Sequence, residues 1–265
     1  MPSTVVCVRF CVDVSQLRVD GATGEPRSEG VPWRVSTLDE HAVECAVQLR
    51  ERHGGTVRAL SLAASEPPRD IVLKLLAMGV DELELWIDPT AADGDALATA
   101  TMLAAALSTR ALPDLVLFGE GSLDRFDQQV GARVAEELAL PSVTHASRVA
   151  LDGDVLEADR ILEDHVETVR CALPVVVTVG HESPTPRLPS VLQVLGASRK
   201  AVVARRVGEL PGHAGAGAAT TGGTGTLSVT APRTERKRRK IDGDGPDAAA
   251  RKLVDVLLAE GVIKR

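Results

Sequence analysis

The sequence predicts an α/β fold built on a doubly wound, mostly parallel β-sheet. Over the first 140 residues, short apolar runs alternate with stretches of helical periodicity as β-α-β-α-β-α-β-α, which is typical of parallel strands joined by right-handed crossovers. Of the 265 residues, 44% are hydrophobic, 2% are aromatic and none is tyrosine, so the core must be aliphatic, as in parallel sheets. Short strands with tight turns follow residue 141, which predicts antiparallel additions to the sheet.

The first predicted strand is Thr4–Val8, a mostly β-branched apolar run. Asp20–Gly30 is rich in glycine and charge, which indicates a hairpin-like or disordered excursion. Thr37–Glu40 fits a capping box, in which the threonine hydroxyl and the glutamate three residues later satisfy free helix amides. The helix that follows carries one apolar face as far as His53, where Gly54 ends it.

Two further strands and two helices are predicted before residue 111. Val57–Ala63 is an apolar strand, and the helix Pro68–Met78 ends where Gly79 permits a left-handed backbone. Glu82–Ile87 alternates polar and apolar residues, as an edge or half-covered strand does. An alanine-rich helix follows over residues 96–110.

The next unit has the pattern of a ligand site. It comprises a buried strand over Leu115–Phe118, a loop with Gly119 and Gly121, and a helix predicted to begin near Asp127 or Gln128. The first amides of that helix would point toward the strand ends, where an open α/β sheet binds nucleotides and a helix N-terminus favours phosphate. The loop lacks the P-loop lysine and the full GxGxxG spacing, so an ordinary strand-loop-helix connection is the alternative.

The chain after residue 141 changes character. Three strands are predicted over Val143–Leu151, Val155–Leu162 and Val166–Ala172, with a hairpin turn at Asp152–Asp154 and a buried strand after Pro174.

Two regions are therefore expected. Residues 1–190 would form a Rossmann-like, adenine nucleotide-binding domain, and residues 191–265 an extension. Within the extension, Gly208–Gly225 is predicted to be a flexible linker, and Arg233–Lys240 is a basic run. Pro246 opens an amphipathic helix that we expect to dock on a partner chain.

Composition also excludes several functions. A net charge of -7 and the scarcity of aromatic residues argue against nucleic-acid binding. The four cysteines lack disulfide or metal spacing, the six histidines are scattered, and we expect neither a metal site nor catalytic residues. No signal peptide and no apolar run of membrane-spanning length is evident, so we expect a cytoplasmic protein without membrane insertion.

Several short motifs occur in a specific order along the chain. They are VCVR at Val6–Arg9, LDEHAVE at Leu38–Glu44, LAMGVD at Leu76–Asp81, GDALAT at Gly94–Thr99, the loop Gly119–Gly131, and PVVVT at Pro174–Thr178. In this order they resemble the β subunit of electron transfer flavoproteins over nearly the whole chain.

The resemblance implies an electron carrier rather than an enzyme with its own catalytic residues. The family's β subunit binds an adenine nucleotide, and its α partner carries the working FAD; the pair shuttles electrons from a dehydrogenase to an acceptor. The nucleotide contacts implied by matching position are Cys7, Ser36, Thr37, Leu38, Asp39, Leu62, Ala63, Gly119, Glu120, Gly121, Ser122, Asp124, Gln128, Gln129, Val130 and Gly131. A leucine before a proline in the family's dehydrogenase-docking loop is matched by Leu188 and Pro189.

The resemblance leaves two nucleotides open for this chain. Many members hold AMP and have threonine before the last loop glycine, whereas electron-bifurcating members hold a second FAD and commonly have valine there. Val130 and Cys7 fit the second group, while Ser36 and the Arg125–Phe126 pair depart from the usual pattern.

A second hypothesis is a stand-alone adenine nucleotide-binding sensor, like the universal stress proteins. The terminal amphipathic helix and the proline-rich loop favour the electron carrier, because a self-contained sensor needs neither.

Overall fold

A computed structural model describes residues 1–89, 94–211, 223–232 and 237–264. The chain divides into two compact units, Met1–Val229 and Thr230–Arg265. The strands of the described residues are β1 (Ser3–Cys7), β2 (Phe10–Val12), β3 (Arg18–Val19), β4 (Pro26–Arg27), β5 (Trp33–Val35), β6 (Thr56–Ala63), β7 (Glu82–Ile87), β8 (Leu115–Gly119), β9 (Ser142–Asp152), β10 (Val155–Ile161), β11 (Val166–Ala172), β12 (Val175–Val179) and β13 (Ala201–Arg206). The α-helices are α1 (Thr37–His53), α2 (Arg69–Ala77), α3 (Ala96–Leu107), α4 (Val130–Glu137), α5 (Val191–Ala197) and α6 (Pro246–Ala259).

A large central sheet confirms the predicted α/β fold. Its strand order is β11-β10-β9-β12-β8-β1-β6-β7-β13. Every neighbouring pair from β9 to β13 is parallel. The pairs β9–β10 and β10–β11 are antiparallel, as the short turns predicted, and Gly153 adopts the left-handed backbone of the hairpin turn (φ 60°).

Helices cover both faces of the parallel strands. Successive side chains of a strand point to opposite sides, so each strand contributes apolar residues to both faces. Val6 of β1 packs in the core beneath α1 and α2, whereas Val5 and Cys7 pack beneath α3 and α4. From β1 the chain winds through β6 to β7 on the α1 side. Helix α3 then crosses back on the other face, and β8 lies on the opposite side of β1. The winding direction therefore reverses between β1 and β8.

The capping box predicted at Thr37–Glu40 is wrong. Helix α1 begins at Thr37, and the preceding Ser36 makes no side-chain capping bond. The Glu40 carboxylate instead accepts a hydrogen bond from Lys74 Nζ (3.0 Å) and lies 3.6 Å from Arg34 Nη2. Lys74 comes from the distant helix α2 and Arg34 from the preceding strand β5, and both outcompete the local capping motif.

Strand β7 is neither an edge nor a half-covered strand, because β13 pairs along its outer side and its four central residues are buried. The alternating pattern has another cause: the buried Glu84 carboxylate is compensated by Arg58 (3.2 Å) and by the Trp86 indole N–H (3.0 Å). A charge that is paired in this way is tolerated inside a core. Strand β13 was not predicted from the sequence.

Helix α4 begins at Val130, later than the predicted Asp127 or Gln128. Phe126 and Gln128 have positive φ angles of 51° and 55°, which interrupt a right-handed helix. The loop before α4 is therefore longer than predicted.

The remaining predicted elements have mixed outcomes. Within the excursion at Asp20–Gly30, β4 pairs antiparallel with β3, which ends at Val19, as the hairpin-like alternative predicted. Much of the proposed linker Gly208–Gly225, and half of the basic run Arg233–Lys240, lies outside the described residues. In the second unit, Pro246 is the first residue of α6, as predicted.

Candidate functional site

A cleft opens at the carboxyl ends of β1, β6 and β8, where the winding direction reverses. Ligands of open α/β sheets bind at such switch points. The cleft is open to solvent, and both apolar and polar residues line it, as in small-molecule sites.

Ten of the predicted nucleotide contacts line this cleft: Cys7, Asp39, Leu62, Gly119, Glu120, Gly121, Ser122, Gln128, Val130 and Gly131. Seven further residues line the cleft and were not among the predicted contacts: Val8, Arg9, Thr99, Leu103, Phe118, Arg125 and Asp127. Two local signals were available for some of them. Val8 ends a predicted strand and Arg9 directly follows it, and Thr99 and Leu103 are four residues apart on one face of a predicted helix.

The other six predicted contacts lie around the cleft rather than in its lining. Thr37 and Ala63 are the first residue of α1 and the last of β6. The buried Ser36 Oγ accepts a hydrogen bond from the Leu123 N–H (3.1 Å), and the Leu38 backbone lies against Gly119. The last two, Asp124 and Gln129, line a neighbouring cavity.

Asp39 joins three elements at the floor of the cleft. From the first turn of α1, its carboxylate accepts the Arg9 N–H beyond β1 (2.8 Å) and the Gly119 N–H at the end of β8 (3.1 Å). Burial raises the pKa of Asp39 to about 7, although both hydrogen bonds and the nearby Arg9 charge favour the ionised form. Asp39 therefore changes its protonation state near neutral pH.

This pKa predicts a pH dependence of stability. The raised pKa means that the folded protein retains the Asp39 proton between about pH 4 and pH 7, whereas the unfolded chain releases it. The residue's contribution to the free energy of unfolding thus declines with rising pH across that window and is constant above it. We expect the difference in unfolding free energy between wild type and Asp39→Asn, measured with urea, to shrink from pH 5 to pH 7.

The control is Asp70→Asn, which removes an exposed carboxylate from the first turn of α2. Its difference from wild type should vary less over the same range. If the difference in unfolding free energy between wild type and Asp39→Asn stays constant from pH 5 to pH 7, the raised pKa of Asp39 is contradicted.

Arg9 and Asp124 form a bidentate ion pair across the loop, with Nε–Oδ1 and Nη2–Oδ2 distances of 2.8 and 2.7 Å. Burial opposes ionisation of Asp124, but the Arg9 hydrogen bond and charge hold its pKa below the usual value. With the Ser36–Leu123 bond, this pair fixes the loop against β1 and the start of α1. Bidentate arginine–carboxylate geometry is directional as well as strong.

Two glycines permit backbones to approach each other closely beside the cleft. A Cβ atom at Gly119 would lie 2.6 Å from Asp39 Oδ1 and 2.7 Å from the Leu38 carbonyl carbon. A Cβ atom at Gly131 would lie 2.5 Å from Thr178 Cγ2 of β12. Glycine thus lets α1 contact the end of β8, and lets the start of α4 contact β12.

The start of α4 presents backbone donors. Arg133 makes the first bond of the helix ladder, to the Gln129 carbonyl (2.9 Å), so the amides of Val130, Gly131 and Ala132 have no acceptor within the helix. Val130 and Gly131 line the cleft. A helix start of this kind is suited to an anionic group.

One part of the cleft lining is apolar and chemically inert. Cys7, Leu62, Leu103 and Phe118 are buried members of one hydrophobic cluster and also line the cleft. Burial, reinforced by the Asp39 charge, raises the pKa of the Cys7 thiol. Because a nucleophilic cysteine requires the thiolate form, Cys7 serves as part of an apolar wall.

Among residues 1–89, 94–211, 223–232 and 237–264, no cluster of three or more His, Cys, Asp or Glu side chains could hold a metal ion. Across the same residues, no helix combines the length and apolar character needed to cross a membrane.

Fold and cleft together define a doubly wound α/β protein with a ligand cleft at its switch point. A family model described as "Electron transfer flavoprotein domain" matches residues 27–210. The chain is 34% identical over 198 residues to the electron transfer flavoprotein subunit beta of Clostridium acetobutylicum, an alignment covering 75% of this chain and 76% of the relative. It is also 34% identical over 197 residues to the protein of the same name from Thermoanaerobacterium thermosaccharolyticum, covering 74% and 75%. The chain belongs to the electron transfer flavoprotein β-subunit family, which confirms the resemblance carried by its motifs.

Proposed function

We propose that this chain pairs with an electron transfer flavoprotein α subunit and that the heterodimer carries electrons from a dehydrogenase to an acceptor through FAD. In this proposal, the chain holds AMP or a second FAD in the cleft and has no catalytic residues of its own. The observation that carries the proposal is a cleft at the switch point, lined by an apolar wall and by the first residues of α4, in a member of this family.

The cleft residues fit an adenine nucleotide. The apolar wall of Leu62, Leu103 and Phe118 suits the adenine ring, and the free amides of Val130 and Gly131 suit phosphate oxygens. FAD, when bound, supplies the redox chemistry. The residues of this chain would hold the nucleotide and fix its orientation.

A second FAD is the larger of the two candidate ligands. A neighbouring polar cavity shares Arg125 and Asp127 with the cleft, so a ligand longer than AMP could contact both. Val130 stands at the position where the resemblance associates valine with the FAD-binding members. These observations favour a dinucleotide over AMP.

The dehydrogenase would dock on an apolar surface after the proline-rich loop. Leu188 is 90% exposed and precedes Pro189, and the adjoining helix α5 exposes Val191, Leu192 and Leu195. An exposed cluster of large apolar side chains is a feature of interaction sites. We call Leu188–Leu195 the docking segment.

The extension after residue 190 would complete the heterodimer. Helix α6 exposes Leu253, Val254 and, just beyond it, Val262, and we propose that it packs on the α subunit. We place the heterodimer in the cytoplasm.

Co-expression with an α subunit tests the proposal. The visible spectrum and the nucleotide content of the purified complex should show two flavins, or one flavin and one AMP. Two flavins favour the electron-bifurcating type. A colourless homo-oligomer that binds ATP would contradict the proposal and favour the stand-alone sensor, against which family membership weighs.

Leu188→Ala tests the docking assignment. Truncating an apolar anchor commonly costs more than about 1 kcal/mol of binding, so we expect the Michaelis constant of the dehydrogenase for the heterodimer to rise at least about fivefold. The visible spectrum should stay unchanged. Val202→Ala, which truncates a half-exposed side chain on β13, is the control, and an unimpaired Leu188→Ala would remove the role.

A further inference from the structure

Arg187, the residue immediately before the docking segment, reaches back to helix α1. It lies in residues 180–190, which have no regular secondary structure. Its Nε donates to Glu44 Oε2 (2.8 Å) and its Nη2 to Glu44 Oε1 (3.0 Å). Its Nη1 and Nη2 donate to the two Glu51 oxygens at 2.5 and 3.0 Å, and its backbone N–H also donates to Glu44 (3.2 Å).

This arrangement is more than a surface ion pair. The Glu44 side chain is only 5% exposed, and a buried charge requires a partner. Burial opposes its ionisation, but hydrogen bonds from Arg187 and Gln48 hold the pKa of Glu44 below its usual value. Two carboxylates engage one planar guanidinium, a geometry that lysine cannot reproduce.

Helix α1 connects this cluster to the cleft. Asp39 in its first turn binds the ends of β1 and β8, and Glu44 lies five residues further along the same helix. Glu51 is two turns beyond Glu44, on the same face. The side chains that organise the cleft and those that hold Arg187 therefore belong to one rigid element.

We propose that Arg187 is a positioning residue, which fixes the docking segment to helix α1 and thereby at a set distance from the nucleotide cleft. The proposal rests on the docking role assigned above to Leu188. Its physical basis is entropic: a loop held at its last residue before an interface loses less freedom when a partner binds, so it binds more tightly.

Hydrogen exchange of the purified heterodimer tests, without any dehydrogenase, whether Arg187 fixes the docking segment to α1. In Arg187→Ala we expect the amides of residues 188–195 to exchange about tenfold faster, and in Arg187→Lys to show an intermediate rate. The double variant Arg187→Ala/Glu44→Gln removes the uncompensated charge and should show the same fast exchange while preserving the fold. Arg52→Ala, an exposed substitution on α1, should leave it unchanged.

Steady-state kinetics with the dehydrogenase tests the consequence. The double variant should raise the Michaelis constant for the heterodimer about fivefold to tenfold, the change that about 1 to 1.4 kcal/mol produces. The turnover number at saturation, the visible spectrum and the nucleotide content should all stay at wild-type values.

The outcomes separate the two proposals. If residues 188–195 exchange at the wild-type rate in the Arg187 variants, Arg187 does not fix the docking segment. Faster exchange with an unchanged Michaelis constant, where Leu188→Ala does raise it, overturns the positioning role alone. An unchanged Michaelis constant in Leu188→Ala overturns the docking role, and the positioning role with it.

Discussion

Gly119→Ala is expected to lower the free energy of unfolding by about 3 kcal/mol, the upper range for an added methyl group in a packed site, and to empty the cleft. The new Cβ atom would lie within 2.8 Å of three atoms at the start of α1, two of which belong to the backbone. Because neither a strand end nor a helix backbone yields easily, α1 must shift and Asp39 must lose its bond to the residue 119 amide. Urea unfolding and the nucleotide content of the purified complex measure both effects.

Gly196→Ala is the matched control for this change. It adds the same atoms in helix α5, where no heavy atom lies within 4 Å of the new Cβ position. Alanine in place of a compatible glycine stabilises a protein by about 0.4–1 kcal/mol. Equal behaviour of the two variants would contradict the close contact between α1 and β8.

Gly131→Ala is expected to weaken nucleotide retention about tenfold, a loss of about 1.4 kcal/mol. The added methyl group would meet Thr178 Cγ2 of β12 at 2.5 Å, so the start of α4 must move away from the sheet. The amides of Val130 and Gly131 would then lie out of place for a phosphate. The dissociation rate of the bound nucleotide, followed by chromatography after dilution, measures the effect.

The structure also supplies a rescue for this variant. Thr178→Ser removes the obstructing Cγ2 atom and keeps the hydroxyl that accepts the His145 N–H (3.1 Å). The double variant Gly131→Ala/Thr178→Ser should therefore retain its nucleotide nearly as well as Thr178→Ser alone. Failure of the rescue would mean that position 131 acts through something other than this contact.

The features that the sequence predicted well are local ones. Strand β8 and the hairpin at Gly153 are each determined by neighbours in sequence, so periodicity and turn chemistry suffice to predict them. The alternation of strands and helices also determines the parallel sheet, because crossovers have one preferred hand. The cleft follows from the same topology.

The features that the sequence did not predict depend on contacts between distant residues. Arg9 and Asp124 are 115 positions apart, and no local pattern pairs them. Glu40 fitted a local capping motif, but Lys74, 34 positions away, binds it instead. The resemblance implies Gly131 only as a nucleotide contact, whereas its packing against Thr178 gives a structural reason for glycine that only the folded chain reveals.

A crystal structure of the heterodimer with its co-purified ligand tests the central claim most directly. We expect adenosine density in the cleft of this chain, with the adenine against the apolar wall that includes Leu62 and a phosphate at the amides of Val130 and Gly131. An empty cleft, or an adenosine compound held elsewhere on the chain, would contradict it.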